Sequence, residues 1–421
     1  MLDVNDLKGK KVAAAVSGGL DSCTITGWLT DNNVNVSCFI VDLAQPDEIN
    51  FEDAKKRLLI AGAKEVIVVD GKNALAQIGI TAIQAQAFYE GGYWNTTGLA
   101  RYVTTELILE EMKKRKIDIL THGATGRGND QVRFQVVANM LEPKFTVYAP
   151  WRDQKFIDAF GGRKEMIDYC KAKKIPIKAT YSKPYSTDAN FLGLTHEAGR
   201  LESLNTPSDF VSPEMGVFPK NAQDKEERFS VTFEKGFPVK INNQKTTALE
   251  AMLMANKIGG RNGIGIGIHV VENRFVGIKS RGIYEMPGME LLGKCYEFLL
   301  QLILERRSRK LFQDLSSFIS EQIYQGYFYD PASQAAISAI KYFSNFCSGT
   351  VYVKLYKGNI LYEKIENAPH SLYSETISSM EKVGSFDHSD SEGFLKVLGI
   401  TAKTLNIKKQ INLTPIKSKW A

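Results

Sequence analysis

The chain has 421 residues and a formal net charge of +6, with 24% charged and 43% hydrophobic residues. This length predicts about two to three domains, and a positive balance this mild does not indicate a nucleic-acid-binding protein. No apolar run is long enough to span a bilayer, and the first residues lack the basic and apolar segments of a signal peptide, so we expect a cytoplasmic protein.

The first predicted elements are a strand, a tight loop and a helix. An apolar run over residues 11–16 breaks at Ser17-Gly18-Gly19, and apolar residues at helical spacing follow from Leu20. Glycines allow positive φ and close approach of a ligand, and the free amides at the start of a helix favour an anion, most often a phosphate. The loop lacks the lysine of a Walker loop and the third glycine of a dinucleotide fingerprint. The alternative to a phosphate-binding loop is an ordinary glycine-rich turn between a strand and a helix.

Strands and helices then alternate along the first part of the chain. The pattern predicts strands at 34–41, 64–70, 117–121 and 145–149, and helices at 51–61 and 97–116. This order predicts an α/β fold with a doubly wound parallel sheet, whose ligands bind at the carboxyl ends of the strands. Ser17, Asp42 and Gly123 lie at such ends.

After about residue 177 the loops lengthen and the alternation stops. We expect a strand at 230–240 with a Gly-Phe-Pro turn, strands on either side of residues 277–282, and the longest helical stretch at 289–324. The apolar face of that stretch is broad enough for a core or a subunit interface. The glycine run at 259–267 is interpreted as a loop leading into a strand at 268–271, because no strand precedes it and no helix follows it, as a dinucleotide site requires.

The predicted domains are a nucleotide-binding domain at 1–176, an α+β domain at 177–400 and a C-terminal tail at 401–421. The tail is locally basic at Lys408, Lys409, Lys417 and Lys419. A tail or a subunit contact is a more common role for such a segment than nucleic-acid binding.

The cysteines and histidines are scattered. The chain has five of each and contains neither a Cys-x-x-Cys pair nor a His-Glu-x-x-His motif. This spacing argues against a disulfide framework and a structural zinc site. We expect the cysteines to be small buried residues and no transition metal to be bound.

Three clusters place polar side chains where a ligand could meet them. In the first, at 122–134, Thr125 lies in a loop, Asn129 and Asp130 start a helix, and Arg133 follows one turn later on the same side. Capping of the helix by Asn129 or Asp130 is the alternative, and it can coexist with binding. The other clusters lie at 92–101 and at 185–190 with 195–197, where helix capping and turn closure are the alternatives.

These motifs together resemble the argininosuccinate synthases. The SGGLDS loop is similar to the pyrophosphate loop of ATP pyrophosphatases, and the further motifs are QPDE (45–48), YWNTTGLAR (93–101), HGATGRGNDQVRF (122–134), YSTDAN (185–190), THE (195–197), VENR (271–274) and KSRGIYE (279–285). The resemblance implies ATP-dependent ligation of citrulline and aspartate to argininosuccinate through a citrulline adenylate, with release of AMP and pyrophosphate, in arginine biosynthesis. It also implies Mg²⁺ on the phosphates, a synthetase role for residues 177–400, and a homotetramer.

The resemblance also implies site residues. The ATP-binding positions are Ala15, Val16, Ser17, Gly18, Gly19, Leu20, Asp21, Ser22, Cys23, Val41, Gly123, Thr125, Asp130 and Asp188. The aspartate-binding positions are Thr125, Asn129 and Asp130. The citrulline-binding positions are Tyr93, Thr97, Asn129, Arg133, Ser186, Thr195, Glu197, Glu272 and Tyr284. The expected catalytic residues are Ser17, Asp21 and Asp130. Glu197 and Glu272 suit the α-ammonium of citrulline, and Arg133 suits a carboxylate or ureido oxygen.

Three positions depart from the common family pattern. Ser22-Cys23 stands where the family has Thr-Ser, Ala44 where glycine is frequent, and Val41 where a smaller residue is common.

Two other functions remain as alternatives. A tRNA-modifying ATP pyrophosphatase of the thiolase or lysidine-forming type can use the same loop, but it would need a strongly basic face. An ATP-sensing binding protein would not need the three polar clusters.

Overall fold

The computed structural model describes residues 2–46, 50–177, 185–379, 381 and 387–411. The chain divides into two units, Met1–His370 and Ser371–Ala421. Asp47 and Glu48 of the QPDE motif, and Lys417 and Lys419 of the tail, lie outside the described residues. The division of the sequence at 176 and 400 stays a prediction. None of the described helices is both long enough and apolar enough to cross a membrane.

The first part of the Met1–His370 unit is the predicted α/β fold. Its elements are β1 (Lys11–Ala15), α1 (Leu20–Asp31), β2 (Asn35–Asp42), α2 (Phe51–Ile60), β3 (Glu65–Asp70), α3 (Lys72–Ala85), α4 (Thr96–Arg115), β4 (Ile119–His122), α5 (Asp130–Leu141), β5 (Thr146–Tyr148), α6 (Gln154–Ala159) and α7 (Arg163–Ala172). The five strands are parallel in the order β3-β2-β1-β4-β5. The predicted helices and strands of this part are confirmed to within two residues at each end.

Helices cover both faces of the parallel sheet, because its strands are apolar on both sides. Val12 and Ala14 of β1 belong to the core that contains α1, α2 and α7, whereas Ala13 belongs to the core of α3, α4 and α5. The second of these cores continues into the rest of the unit. The carboxyl edge of the sheet is therefore the part left for a ligand.

The remainder of the same unit is built on two antiparallel sheets. Its elements are β6 (Ser186–Asn190), β7 (Gly193–Glu197), β8 (Glu227–Glu234), β9 (Phe237–Ile241), β10 (Gln244–Lys245), α8 (Ala248–Arg261), β11 (Ile266–Asn273), β12 (Lys279–Glu285), α9 (Pro287–Ile303), α10 (Arg306–Gln325), α11 (Pro331–Ser344), β13 (Gly349–Tyr356) and β14 (Asn359–Glu366). The sheet orders are β10-β9-β8-β13-β14 and β11-β12-β7-β6. Single-turn 3-10 helices lie at Val4–Leu7, Glu90–Gly92, Pro150–Arg152, Gly199–Glu202, Ser208–Phe210 and Pro219–Asn221.

Four expectations for this part need correction. Residues 277–282 do not lie between two strands, because β12 begins at Lys279 and includes most of them. The helical stretch at 289–324 is two helices, α9 and α10, because Glu305 caps α10 by accepting hydrogen bonds from the amides of Arg307 and Ser308. The strand at 230–240 is the β8–β9 hairpin, and its turn is Lys235-Gly236, where both residues have positive φ. The start of the glycine run is helical, since α8 extends through Gly259 and Gly260 before the turn into β11.

The Ser371–Ala421 unit contains one described helix, α12 (Ser389–Ile407). No residue of α12 is buried. Its exposed apolar side chains include Phe394, Leu395, Val397, Leu398 and Ile400, each between 59% and 69% exposed.

Candidate active site

A cavity of about 740 Å³ lies at the carboxyl edge of the parallel sheet. It is lined by the loop after β1, the loop between β4 and α5, the start of α4, and strands β6, β7, β11 and β12. Every site residue implied by the sequence motifs lines this cavity except Cys23. The three polar clusters and the phosphate loop therefore face one space.

The loop between β1 and α1 has the conformation expected of an anion-binding loop. Gly18 has φ +78°, and a Cβ there would lie 2.6 Å from the Cβ of Ala54, so only glycine fits. The Ser17 amide donates to Ser22 Oγ at 3.0 Å. Helix α1 begins at Leu20, and no side-chain hydrogen bond caps it at Gly19. Its first amides face the cavity and favour a negatively charged group.

Buried groups hold this loop from behind. The Gly18 carbonyl accepts hydrogen bonds from Arg57 Nε at 2.9 Å and from the Cys23 thiol at 3.5 Å. Burial raises the pKa of Cys23 to about 12, so the thiol stays protonated and can donate. Cys23 is fully buried, and it supports the loop rather than lining the cavity.

Asp21 brings a carboxylate to the phosphate end of the cavity. Burial raises the pKa of Asp21, and the positive charge of Arg163 opposes that shift. Arg163 is the first residue of α7 and lines the same cavity. The carboxylate is therefore placed where a cation or a positively charged donor would stabilise its ionised form.

The loop after β2 contains Ala44, which stands where glycine is frequent in the family. Ala44 has φ +48°, a left-handed conformation that glycine adopts at lower cost. Two hydrogen bonds hold it there, from the Ala44 amide to Asp42 Oδ1 at 2.9 Å and from Gln45 Nε2 to the Val41 carbonyl at 2.9 Å. The alanine preserves the backbone shape at the cost of some strain.

Asp130 lies at the centre of a buried ion-pair network. It accepts from Arg101 Nε at 2.9 Å and from Arg133 Nη1 at 2.8 Å, and Arg101 also pairs with Asp188. Burial opposes ionisation of Asp130, but the two arginines outweigh it and hold the pKa of Asp130 below its usual range. Arg133 also donates from Nε and Nη2 to the Tyr324 carbonyl. Asp130 is therefore a fixed anionic acceptor in the cavity wall.

Asn129 is not a side-chain cap of α5. No side-chain hydrogen bond caps that helix. Asn129 Oδ1 instead accepts from the Phe275 amide at 2.9 Å, which ties the loop before α5 to the turn between β11 and β12. The capping alternative is not supported for Asn129, and its side chain forms part of the cavity wall.

One face of the β11-β12-β7-β6 sheet supplies most of the predicted citrulline residues. Thr195 pairs with both Asp188 and Tyr284, and Glu197 pairs with Ser186, so these side chains alternate onto the same face. Thr195 Oγ1 is 3.3 Å from Oγ1 of Thr97 on α4. The YSTDAN and THE motifs thus form a strand hairpin. Turn closure, one of the alternatives, is confirmed at Asn190, whose Oδ1 accepts a hydrogen bond from the Leu192 amide at 2.9 Å.

Two carboxylates on this face are suited to an ammonium group. Glu272 is 8% exposed, and its Oε1 accepts from Ser280 Oγ at 3.0 Å. Glu272 Oε2 is buried and has no hydrogen-bond partner among the described residues. The pKa of Glu197 is raised to about 7, chiefly by burial and further by Asp188, Asp130 and Glu272, while Arg274 opposes the shift.

Two tyrosines form a wall beside these carboxylates. The rings of Tyr93 and Tyr284 stack at 4.1 Å, and the Tyr93 hydroxyl accepts from the Thr97 amide at 3.0 Å. A Cβ on Gly282 would lie 2.6 Å from the ring of Tyr284. Glycine at 282 therefore allows the ring to lie over β12.

Several cavity residues were not assigned from the sequence. They are Arg57, Arg101, Arg163, Arg274 and Tyr324, among others. Arg101 and Arg274 lie inside the recognised motifs, so those motifs were the available signal. Arg57, Arg163 and Tyr324 lie on helices with no local signal and reach the cavity only through tertiary packing.

Comparisons with known proteins agree with this geometry. Models of the arginosuccinate synthase N-terminal HUP domain and C-terminal domain match residues 11–176 and 185–405. The chain is 41% identical to argininosuccinate synthase of Rhodopirellula baltica over 94% of this chain and 97% of that protein. It is 36% identical to that of Thermotoga maritima over 95% and 98%, and 35% identical to that of Xenopus laevis over 93% and 96%. The chain belongs to the argininosuccinate synthase family.

Proposed function

We propose that this protein catalyses the ATP-dependent ligation of citrulline and aspartate to argininosuccinate in arginine biosynthesis, releasing AMP and pyrophosphate. The observation that carries the proposal is that a single cavity contains both an uncapped helix N-terminus with a glycine loop and a sheet face with carboxylates suited to an amino acid. Near full-length relatives named argininosuccinate synthase support the same function. The alternative of a tRNA-modifying ATP pyrophosphatase is not favoured.

The reaction needs activation because the ureido oxygen of citrulline is a poor leaving group. Attack of that oxygen on the α-phosphorus of ATP forms the citrulline adenylate and releases pyrophosphate. The aspartate amine then attacks the ureido carbon and displaces AMP. No covalent bond to the protein is needed, so the protein contributes mainly positioning and charge stabilisation.

The loop at residues 15–22 is proposed to hold the ATP phosphates. Its backbone amides and the start of α1 offer hydrogen bonds and a positive dipole end to the negative charge that develops on pyrophosphate. Ser17 and Ser22 offer hydroxyl groups, which lie 3.4 Å apart. Val41, Gly123 and the remaining ATP positions assigned from the sequence line the same cavity.

The sheet face is proposed to hold citrulline. Glu272 Oε2 lacks a partner in the described part of the chain, so an α-ammonium would satisfy a buried acceptor. Glu197 provides a second acceptor, and Thr195 and Ser186 provide hydroxyls. Two of the Arg133 nitrogens already donate to Tyr324, and Arg133 retains further N–H groups for a carboxylate or ureido oxygen.

Aspartate is proposed to bind beside the loop at residues 125–130. Thr125 and Asn129 offer a hydroxyl and an amide, and Asp130 offers an anionic acceptor for the amine. The amine must reach the ureido carbon of citrulline. Asn129 was assigned to both amino acids from the motifs, which is consistent with its place between the loop and the sheet face.

Mg²⁺ is proposed to enter with ATP as part of the substrate, because it neutralises the charge of the phosphates. Across the residues that the structure describes, no group of three or more His, Cys, Asp or Glu side chains could hold a metal ion. Asp21 is the carboxylate of the phosphate loop.

Omission of each substrate in turn tests the proposed function. We expect sustained pyrophosphate release only with ATP, Mg²⁺, citrulline and aspartate together, with argininosuccinate accumulating in equal amount. Asp21→Asn tests the role of the phosphate loop and should abolish turnover while the circular dichroism spectrum stays unchanged. ATP binding without ligation of citrulline to aspartate would contradict the proposed function.

A homotetramer in the cytoplasm is also proposed. The exposed apolar side chains of α12 support self-association, since a helix with such a face is normally covered in an assembly. Sedimentation or light scattering of the full-length protein should give four times the mass of 47.0 kDa. A monomer at micromolar concentration would contradict this assembly, and fractionation of cells would test the location.

A further inference from the structure

Arg274 lies in the turn between β11 and β12 and lines the cavity. We propose that Arg274 binds a carboxylate of the substrate aspartate and that its contact with Glu197 couples the aspartate and citrulline sites. This inference rests on the proposed function, because it concerns which protein group recognises the second amino acid.

The charge of aspartate requires a cation near its site. At neutral pH the free amino acid carries two carboxylates and one ammonium. The assigned positions Thr125, Asn129 and Asp130 provide a hydroxyl, an amide and an anion, and none of them carries a positive charge. Carboxylates in protein sites are most often met by the paired N–H groups of arginine. An arginine beside this loop would therefore complement the charge of aspartate.

Arg274 lies against the predicted aspartate loop. Its Nη1 donates to the Arg127 carbonyl at 3.2 Å, and Arg127 lies between Thr125 and Asn129 in the chain. The next residue in the turn, Phe275, donates its amide to Asn129 Oδ1 at 2.9 Å. Two hydrogen bonds therefore hold the turn on the loop, with the Arg274 guanidinium in the cavity wall.

The other cavity arginines have different positions or stronger contacts. In the described part of the chain, the cations that line the cavity are Arg57, Arg101, Arg133, Arg163 and Arg274. Arg101 and Arg133 are held by Asp130 at 2.9 Å and 2.8 Å. Arg57 donates to Gly18 in the phosphate loop, and Arg163 acts on Asp21 of the same loop.

The carboxylate contact of Arg274 is weaker than those of Arg101 and Arg133. Its Nη2 is 3.5 Å from Glu197 Oε2, beyond the usual length of a charge-assisted hydrogen bond. The side chain is 21% exposed, so a ligand can reach it. Nη2 of Arg274 can therefore exchange Glu197 for a second carboxylate while Nη1 stays on the Arg127 carbonyl.

The Glu197 contact provides the coupling. Glu197 is a predicted acceptor for the citrulline ammonium, and a bound ammonium would compete with Arg274 for that carboxylate. Citrulline binding would then release the guanidinium for aspartate. Citrulline should therefore raise the affinity for aspartate, and by linkage aspartate should raise the affinity for citrulline.

The test is Arg274→Gln in the full-length enzyme, assayed at pH 8.5, because the pKa of Glu197 is about 7 and loss of Arg274 should raise it further. Loss of a charge-assisted carboxylate contact should raise the KM for aspartate by about 10-fold to 100-fold. The KM for ATP should stay within about twofold of wild type. Citrulline-dependent exchange of pyrophosphate into ATP needs no aspartate, and it should require no more citrulline than in wild type, because citrulline no longer competes with Arg274 for Glu197. Arg274→Lys should recover part of the loss.

Lys279→Gln is the matched control, since Lys279 lies on the same hairpin and outside the cavity. It should leave all KM values unchanged. An unchanged KM for aspartate in Arg274→Gln would overturn the inference while wild-type ligation still supports the proposed function. Loss of citrulline-dependent exchange with normal aspartate KM would also overturn it and would assign Arg274 to citrulline. Absence of ligation in the wild-type protein would instead defeat the proposed function.

Discussion

The two ends of the cavity are built in different ways. The phosphate end is formed by one continuous segment, residues 15–22, and its main groups belong to the backbone. The amino-acid end takes its side chains from α4, α5, β6, β7, β11 and β12, and partners such as Thr97 and Thr195 are 98 residues apart in the chain. A backbone site depends on local conformation, whereas a side-chain site depends on the register of distant strands.

This difference predicts different sensitivities. Substitutions in the phosphate loop should alter the shape of its backbone and abolish the reaction with ATP. Substitutions on the sheet face should remove single contacts and weaken one substrate at a time. Substitutions of residues packed behind the phosphate loop or behind the sheet face should have small effects on activity.

The largest combined effect on stability and turnover is expected for Gly18→Ala. The added Cβ would lie 2.6 Å from Ala54 Cβ at a φ of +78°, and strain with overpacking should cost about 2 to 4 kcal/mol in unfolding free energy. Displacement of the loop by about 1 Å should lower turnover by at least about 100-fold. Chemical denaturation and steady-state assays measure both quantities. Gly161→Ala is the control, because a Cβ there meets nothing within 4 Å.

Glu272→Gln should weaken citrulline specifically. The substitution removes the charge beside the unpartnered Oε2 and presents an amide to the ammonium. The KM for citrulline should rise by about 10-fold to 100-fold, with the KM for ATP within about twofold of wild type. Glu234→Gln, at an exposed glutamate of β8, should change neither value. An equal loss for ATP and citrulline would contradict a citrulline-specific contact.

Citrulline affinity should also depend on pH through Glu197. Its pKa of about 7 means that the carboxylate is largely protonated at pH 6 and ionised at pH 8. The ammonium of citrulline binds the ionised form, so affinity should fall by about tenfold from pH 8 to pH 6. Calorimetry near pH 7 in two buffers of different ionisation enthalpy should detect proton release on binding.

Glu197→Gln is the control for that pH dependence. The variant should bind citrulline weakly at both pH values and release no proton. A wild-type affinity that is equal at pH 6 and pH 8 would show that Glu197 does not contact the ammonium.

The smallest effect is expected for Cys23→Ser. Cys23 is fully buried behind the loop, and a serine hydroxyl can donate to the same Gly18 carbonyl. Activity should stay within about twofold of wild type, and the unfolding free energy should change by about 1 kcal/mol. Because burial raises the pKa of Cys23 to about 12, the native thiol should also resist alkylation at pH 8, as mass spectrometry of the labelled protein can test. Rapid loss of activity on alkylation of Cys23 would contradict this placement.

Local features explain why much of the fold was predictable. The break between strand and helix at Ser17-Gly18-Gly19 depends only on consecutive residues. The alternation of strands and helices up to residue 149 is also a local pattern. The break between α9 and α10 was missed because apolar spacing continues through it, and a cap at Glu305 divides the helices. The turn at Lys235-Gly236 was misplaced because Gly-Phe-Pro is itself a common turn signal, yet Pro238 lies within β9.

The sequence alone determined the parallel α/β core, the phosphate loop and the family motifs, because each depends on neighbouring residues. Only the tertiary structure brought Glu272 of β11 to the face that holds Thr195 and Glu197 of β7, through pairing of both strands with β12. The tertiary structure also brings Arg274 against the loop before Asn129 and forms the ion pairs between Asp130 and the two arginines, Arg101 and Arg133. Such contacts follow from strand register and helix packing across the whole unit, which no short stretch of sequence specifies.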